Sequence, residues 1–401
     1  MILLEKRTKD TLEDIKYTVN LTEKMKKNIL IALFALASTI VNAAVPDSLR
    51  KDLEDYDYLV SLVEENYAPF DAIMQKGYKR EYKAMKKQNR EQLRKGRSDL
   101  EKAATDYAIW FYRQFDRHIA VGTTAFGMAQ ENIIIETFLK MDSTWATLGP
   151  DDVKYAPKPI SCKVDSLTWL IRVPSCHPDF RERTINALQQ FDESNCVNLI
   201  IDVRGNDGGT DVTWYKYYDM LYDHPGKPSV SWFRNTPESL KFWKEIVESG
   251  QSDDEYNRNF IKECESSKKK FVKRGETSGD TGRKPTTRIR RAAVLIDCMT
   301  ASAGESIVDF VKNHSDRAKV YGKCNTIGSN LTGNCWDGAV LPNSKIRVGY
   351  ATTVDSGFYE KDFSEGIGIV PDVIIPLSMP RKLTDNIDEW VLWVAKDLKK
   401  K

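Results

Sequence analysis

The chain lacks most of what a metal or redox protein needs. It holds four histidines and no C-x-x-C pair, so a zinc site has little to be built from, and neither metal nor cofactor is expected. Its seven cysteines (Cys162, Cys176, Cys196, Cys264, Cys298, Cys324 and Cys335) are too few and too scattered for a disulfide-stapled scaffold. Cys324 and Cys335 flank a short loop and are the pair that spacing favours. Charge of either sign is not in excess: the formal net charge is +2, which gives no global pull toward nucleic acid. Neither G-x-G-x-x-G nor G-x-x-x-x-G-K-[ST] occurs, which removes the dinucleotide fingerprint and the phosphate loop. No internal repeat is visible. What remains, 41% hydrophobic and 29% charged, is ordinary globular composition. A length of 401 residues accommodates two domains, or one large domain with an accessory module.

One apolar run reads as an address. Met25-Lys26-Lys27 precedes Ile29 to Ile40 and then Val41-Asn42-Ala43-Ala44. A basic start, an apolar stretch short for a bilayer and a small-residue exit describe a secretory signal peptide over 25–43, cleaved after Ala43. Residues 1–24 then read as an upstream over-extension, and the alternative is an uncleaved anchor. The expectation is an exported protein, periplasmic or extracellular, with no stable membrane span after cleavage.

From Asp47 to about Thr147 the pattern is helical, and 44–157 is read as a helical domain. Tyr56, Leu59, Val60, Leu62 and Val63 mark one inward face, and Tyr107, Trp110, Phe111 and Phe115 another. Lys76 to Arg97, dense in Lys and Arg, reads as a solvated helix face. After Pro159 strands alternate with helices, and 158–385 is read as an α/β core. Strands are expected at Trp169–Val173, Val197–Val203, Ala292–Ile296, Lys319–Tyr321, Ile346–Thr353 and Val373–Ile375. A helix is expected at Asp179–Phe191, with Phe180, Ile185, Leu188 and Phe191 inward. Residues 225–290 read as an inserted helical hairpin plus a mobile loop, 322–333 as a Gly/Asn-rich turn, and 386–401 as a closing helix.

Three stretches bear on chemistry. Thr300-Ala301-Ser302-Ala303-Gly304-Glu305 stands between a buried strand and a helix, where free N–H groups favour negative charge. Ser302 there is either a helix cap, with Glu305 completing a capping box, or a nucleophile whose attack creates an oxyanion. Gly208-Gly209 directly follow a strand and are either a tight turn or backbone donors turned toward a ligand. His118, at a helix exit after Asp116, is either a satisfied polar residue or a general base.

Taken together these segments resemble the serine peptidase family of the C-terminal (tail-specific) processing proteases, the tricorn core protease and the interphotoreceptor retinoid-binding protein. The resemblance covers roughly 100–380. Leu199–Gly209 resembles the family's strand followed by D-x-R-x-N-x-G-G, and Thr300–Glu305 its T-A-S-A-x-E nucleophile turn. Phe115–His118 and Glu365–Asp372 resemble the acidic-then-histidine and E-x-x-G-x-x-P-D motifs of the tricorn-like branch. The tail-specific branch places a lysine in T-F-G-K-G, where this chain reads Thr326-Ile327-Gly328-Ser329-Asn330; Lys323 sits on the wrong side of that turn. The resemblance therefore implies a Ser302–His118 pair, with Glu365 behind it directly or through a hydroxyl such as Ser329 or Ser364. Ala303 and Gly208 or Gly209 would form the oxyanion hole. Chain order His, Ser, Glu, without G-x-S-x-G, argues against an α/β-hydrolase. The resemblance implies a crotonase-like layered α/β core, here preceded by the helical domain, with little chain between His118 and the sheet for the family's PDZ domain, and an exported serine peptidase acting on peptides or proteins. The rivals are an inactive relative that binds apolar ligands or peptides, and an interaction module built on 225–290.

Overall fold

The computed structural model describes residues 46–141, 154–250, 255–277, 282–360 and 364–400. The signal peptide expected at 25–43 and the over-extension expected at 1–24 lie outside the described residues. The chain divides into two compact units, Met1–Asp52 and Leu53–Lys401. Of the first, only Pro46–Asp52 is described, where helix α1 (Asp47–Asn66) begins. The sheets and the remaining helices belong to the second.

The helical segment continues through α2 (Phe70–Ile73), α3 (Lys79–Arg94), α4 (Leu100–Gln114) and, after strand β1 (Ala120–Val121), α5 (Thr124–Met141). Its core is aromatic. Tyr56, Tyr67, Tyr82, Tyr107 and Phe111 are buried and meet mostly edge to face, the geometry that ring quadrupoles favour. In α3 only Tyr82, Asn89 and Leu93 are buried, and the basic residues lie outward, with Lys86 on Glu64 and Arg90 on Asp57 at 2.7 Å each. Among the described residues no helix is long and apolar enough to cross a membrane.

The next strands are β2 (Lys154–Tyr155), β3 (Ile160–Lys163), β4 (Thr168–Arg172), β5 (Asn198–Asp202), β6 (Ser229–Arg234), β7 (Phe271–Thr277), β8 (Arg291–Leu295) and β9 (Ala318–Gly322). They are followed by β10 (Thr332–Val340), β11 (Arg347–Asp355), β12 (Val373–Ile374) and β13 (Lys382–Leu383). The interleaved helices are α6 (Pro178–Glu193), α7 (Tyr215–Leu221), α8 (Pro237–Glu248), α9 (Glu255–Ser266), α10 (Ala303–His314) and α11 (Glu389–Asp397). The main sheet runs β12-β9-β8-β5-β4-β3 and is parallel except where β3 meets β4.

Its strands advance in one direction along the sheet, so the helices linking them fall on one face. Leu199, Ile201, Val203, Val294 and Val320 pack there against Leu188, Phe191, Trp214, Ile307 and Val311. The alternate residues Leu170, Ile200, Ala293 and Leu295 face Trp390, Val391 and Val394 of α11 on the other side. Burial on both faces is why these strands read as unbroken apolar runs.

Three expectations are corrected by the fold. The 225–290 region does contain a helical pair, α8 and α9, but β6 and β7 flank it and pair with each other, and β6 joins β11. It forms part of a second, antiparallel sheet, β1-β11-β6-β7 with β10 also on β11, and not a mobile loop at 271–277. The 322–333 turn ends in β10, a strand hidden in the sequence because glycines and a register shift between Trp336 and Ala339 interrupt it. The inward stripe of α6 is Thr184, Ala187, Leu188 and Phe191; Phe180 and Ile185 are only half-buried.

Candidate active site

Ser302 sits where β8 gives way to α10. Its sheet neighbour β5 ends level with β8, Asp202 opposite Leu295, so both strands release their loops at one edge. The Ala301 N–H donates to the Asn206 carbonyl at 2.8 Å, which ties the two loops together. Ser302 has φ 50° and ψ −123°, a conformation that costs a residue with a side chain roughly 1–3 kcal/mol and needs support from its surroundings. The support is visible. The Ser302 N–H donates to Ser329 Oγ at 2.8 Å and to Glu305 Oε2 at 3.2 Å.

Glu305 is fully buried and accepts from the Thr326 hydroxyl, from Gly328 N–H at 3.0 Å, and from the Ser329 N–H and hydroxyl at 2.7 and 2.9 Å. Burial raises the Glu305 pKa, and these hydrogen bonds act against that rise. Ser329, at the position where the resemblance leads one to expect a lysine, is thus a structural hydroxyl beneath the Ser302 turn. Lys323 instead points its ammonium at the Leu377 carbonyl, to which it donates at 3.3 Å.

The imidazole arrives from the second sheet. After α4 ends, Asp116 Oδ1 accepts the backbone N–H of His118 at 2.9 Å, a local turn in which aspartate captures the residue two ahead. The same oxygen lies 3.0 Å from His118 Nδ1. His118 Nε2 lies 3.0 Å from Ser302 Oγ. With the Nδ1 proton given to Asp116, Nε2 presents a lone pair to the serine hydroxyl. Burial disfavours the charged imidazole, but the hydrogen bond and charge of Asp116 outweigh it and hold the His118 pKa above its ordinary value. Asp116 is itself buried, which works against its charge; His118 more than compensates and keeps its pKa low. Its other oxygen accepts from the Tyr67 hydroxyl at 2.8 Å.

The hydrogen-bond partners of Glu365 are the Leu331 N–H and the Thr332 hydroxyl, not the imidazole. The hydroxyl between them is that of Thr332, not Ser329 or Ser364. Thr332 Oγ1 lies 2.7 Å from Glu365 Oε1, 2.8 Å from Asp116 Oδ1 and 2.9 Å from His118 Nδ1. Ser364 instead donates to Asn330 Oδ1 at 3.0 Å. Burial, followed by the nearby Asp116 charge, raises the Glu365 pKa far above the carboxylate range. A protonated Glu365 donates to Thr332, which then spends its single proton on Asp116. Gly366, at φ 72°, lets this strap press on the turn before Asp116: a Cβ there would stand 2.6 Å from the Gln114 carbonyl.

The glycine pair divides in role. The Gly208 N–H is already spent on Asn206 Oδ1 at 2.9 Å, which removes it from the expected oxyanion donors. Its use is steric, since at φ 102° an added Cβ would lie 2.7 Å from Ser302 Cβ. The N–H groups of Gly209 and Ala303 have no hydrogen-bond partner among the described residues. The donor atoms of Asp116, His118 and Glu365 lie within 4.8 Å of one another, a span a metal ion could bridge. Those atoms already serve one another through the Nδ1 proton and the Thr332 hydroxyl, and a cation would have to displace both.

The expected disulfide between Cys324 and Cys335 is absent, and all seven cysteines are free. Cys335 lies inside β10, among the buried groups around Asp116, whereas Cys324 lies beside Cys298. Two residues of the site are not assigned by the sequence patterns. Asp116 has a usable signal, because an aspartate two residues before a histidine can hold both its backbone and its ring. Thr332 has none, because its strand carries no recognisable pattern.

Residues 168–375 match the family model described as Peptidase family S41. That span holds Ser302, Thr332 and Glu365 but not Asp116 or His118. No curated protein matches. Among solved structures, mature CPAF complexed with lactacystin is similar at 17% identity and a TM-score of 0.38, covering 53% of this chain and 47% of that one. A lipoprotein from Streptococcus agalactiae is similar at 13% identity and a TM-score of 0.41, covering 83% and 94%. The photosystem II D1 C-terminal processing protease is similar at 17% identity and a TM-score of 0.34, covering 58% and 48%. The chain thus spans about half the length of CPAF and of the D1 processing protease. At these values the assignment rests on the match over 168–375.

Proposed function

Because this chain belongs to peptidase family S41, we propose that it hydrolyses peptide bonds through an acyl-enzyme on Ser302, with His118 as general base. The observation that carries this reading is the 3.0 Å approach of His118 Nε2 to Ser302 Oγ, with Asp116 behind Nδ1. His118 takes the hydroxyl proton as Ser302 attacks the carbonyl, then returns it to the leaving amine. Asp116 orients the ring and stabilises its charged form, while Thr332 and a neutral Glu365 hold Asp116 in place. The N–H groups of Ala303 and Gly209 are the candidates to receive the oxyanion. Each such donor is worth roughly 3–4 kcal/mol where one has been removed in other enzymes.

A fluorophosphonate probe tests this. Wild type gains one covalent adduct in an intact mass spectrum and Ser302→Ala gains none; equal labelling of the two rejects Ser302 as the nucleophile. The Met25–Ala44 pattern supports export. A mature N-terminus at Ala44 in the recovered protein agrees with it, and a cytoplasmic product beginning at Met1 does not.

A further inference from the structure

Two of the free cysteines meet at the root of the nucleophile loop. In the parallel pair β8–β9, Leu295 lies opposite Tyr321. Beyond the strand ends, Cys298 stands in the turn closed by the Thr300 N–H on the Asp297 carbonyl at 3.1 Å, and Cys324 in the bend that follows β9. The segments stay side by side past the strand ends. Ile296 N–H donates to the Tyr321 carbonyl at 2.9 Å before the pair, and Ile327 N–H to the Thr300 carbonyl at 2.9 Å after it. Both side chains pack on the apolar cluster against α11, Cys298 buried and Cys324 half-buried. The two thiols are within hydrogen-bonding reach of each other.

We propose that Cys298 and Cys324 form an oxidisable dithiol that closes to a disulfide, tying the loop entering Ser302 to the turn that holds Glu305. The position gives the bond a purpose. Cys298 stands four residues before Ser302, and Cys324 two before Thr326, whose hydroxyl donates to Glu305. Closure would pin both supports of the strained serine.

The oxidant is a small-molecule disulfide such as oxidised glutathione. The more accessible Cys324, as thiolate, attacks one sulfur of the oxidant and expels a glutathione thiolate, leaving a mixed disulfide. Cys298, as thiolate, then attacks the Cys324 sulfur, which breaks the mixed bond, forms the internal one and releases the second glutathione. Two electrons pass to the oxidant, and the two cysteine protons end on the two glutathione thiols. Burial keeps Cys298 from the oxidant itself, which leaves it the second, resolving step.

The test uses the full chain equilibrated with oxidised glutathione, quenched in acid, denatured, alkylated and mapped by mass spectrometry. Cys298 and Cys324 should escape alkylation and appear in one cross-linked peptide pair that has lost two hydrogens, with the other five cysteines alkylated. Oxidised protein should melt on the order of 5 °C above reduced protein, and the gain should vanish in Cys298→Ser and in Cys324→Ser. Alkylation of both thiols, a glutathione adduct on Cys324 that never resolves, or a Cys324–Cys335 link would overturn the proposal. The wild-type map decides the matter even where a variant fails to fold, and it does not depend on peptidase activity.

Discussion

Thr332 carries one hydroxyl proton and lies within hydrogen-bonding distance of two carboxyl groups, so it can donate to only one of them, and a proton on Glu365 frees it for Asp116. Asp116, lying against Nδ1, is the carboxylate whose loss the ring feels first. Asp116→Asn is expected to lower kcat/KM on the order of 10³–10⁴-fold, as in other triads whose acid is neutralised, while Glu365→Gln, which preserves a neutral donor to Thr332, costs far less. Equal losses would place both acids in the same role. The pH profile follows from the direction of the His118 shift. The base must be neutral, so kcat/KM rises with pH through a limb above the free imidazole value of about 6.5, and Asp116→Asn should move that limb down. The stability linked to this shift has the matching sign. It is present in full below the unfolded value of about 6.5 and is lost as pH rises through the raised folded value.

Among the elements, the paired loops after β5 and β8 govern the setting of Ser302. Gly208 packs on the Ser302 side chain with no room for a Cβ, and its φ of 102° disfavours any L side chain. Gly208→Val should reduce fluorophosphonate labelling at least tenfold with an unchanged far-UV circular dichroism spectrum; normal labelling would show that the loop yields freely. These loops are legible in sequence because the strands before them, Leu199–Val203 and Ala292–Ile296, are apolar throughout, as strands buried on both faces must be. Of the second sheet only β11, expected at Ile346–Thr353, is legible. Its strand Thr332–Val340 carries two glycines and a bulge, and β7 alternates Val272 with the exposed Lys273, so charge and turn residues hide the pattern. The 322–333 segment reads as a turn, and the part of 225–290 after its helical hairpin as a mobile loop, for that reason. The cysteine pairing fails similarly: loop spacing suggests Cys324 with Cys335, whereas Cys324 packs with Cys298 on the apolar cluster against α11.

At the scale of the whole molecule, the site is a junction between two sheets. The parallel sheet supplies Ser302, Gly209 and Ala303, and the antiparallel one supplies His118 beside β1 and Thr332 at the head of β10. Behind the junction, Arg172, Asp202, Arg204 and Asp388 form a buried ion network joining β4 and β5 to the N-terminus of α11. Its charges are mutually paired, as burial demands. Ser302 and His118 are 184 positions apart in sequence, and in the sequence only motif resemblance links them. The central claim is that this long-range pair, and not a lysine, activates Ser302. The most direct measurement is the second-order rate of fluorophosphonate labelling across pH for wild type, His118→Ala and Lys323→Ala. The expected result is a drop of about 10²–10⁴-fold and loss of the pH limb in His118→Ala, with Lys323→Ala close to wild type. Wild-type labelling in His118→Ala together with an inert Lys323→Ala would contradict it.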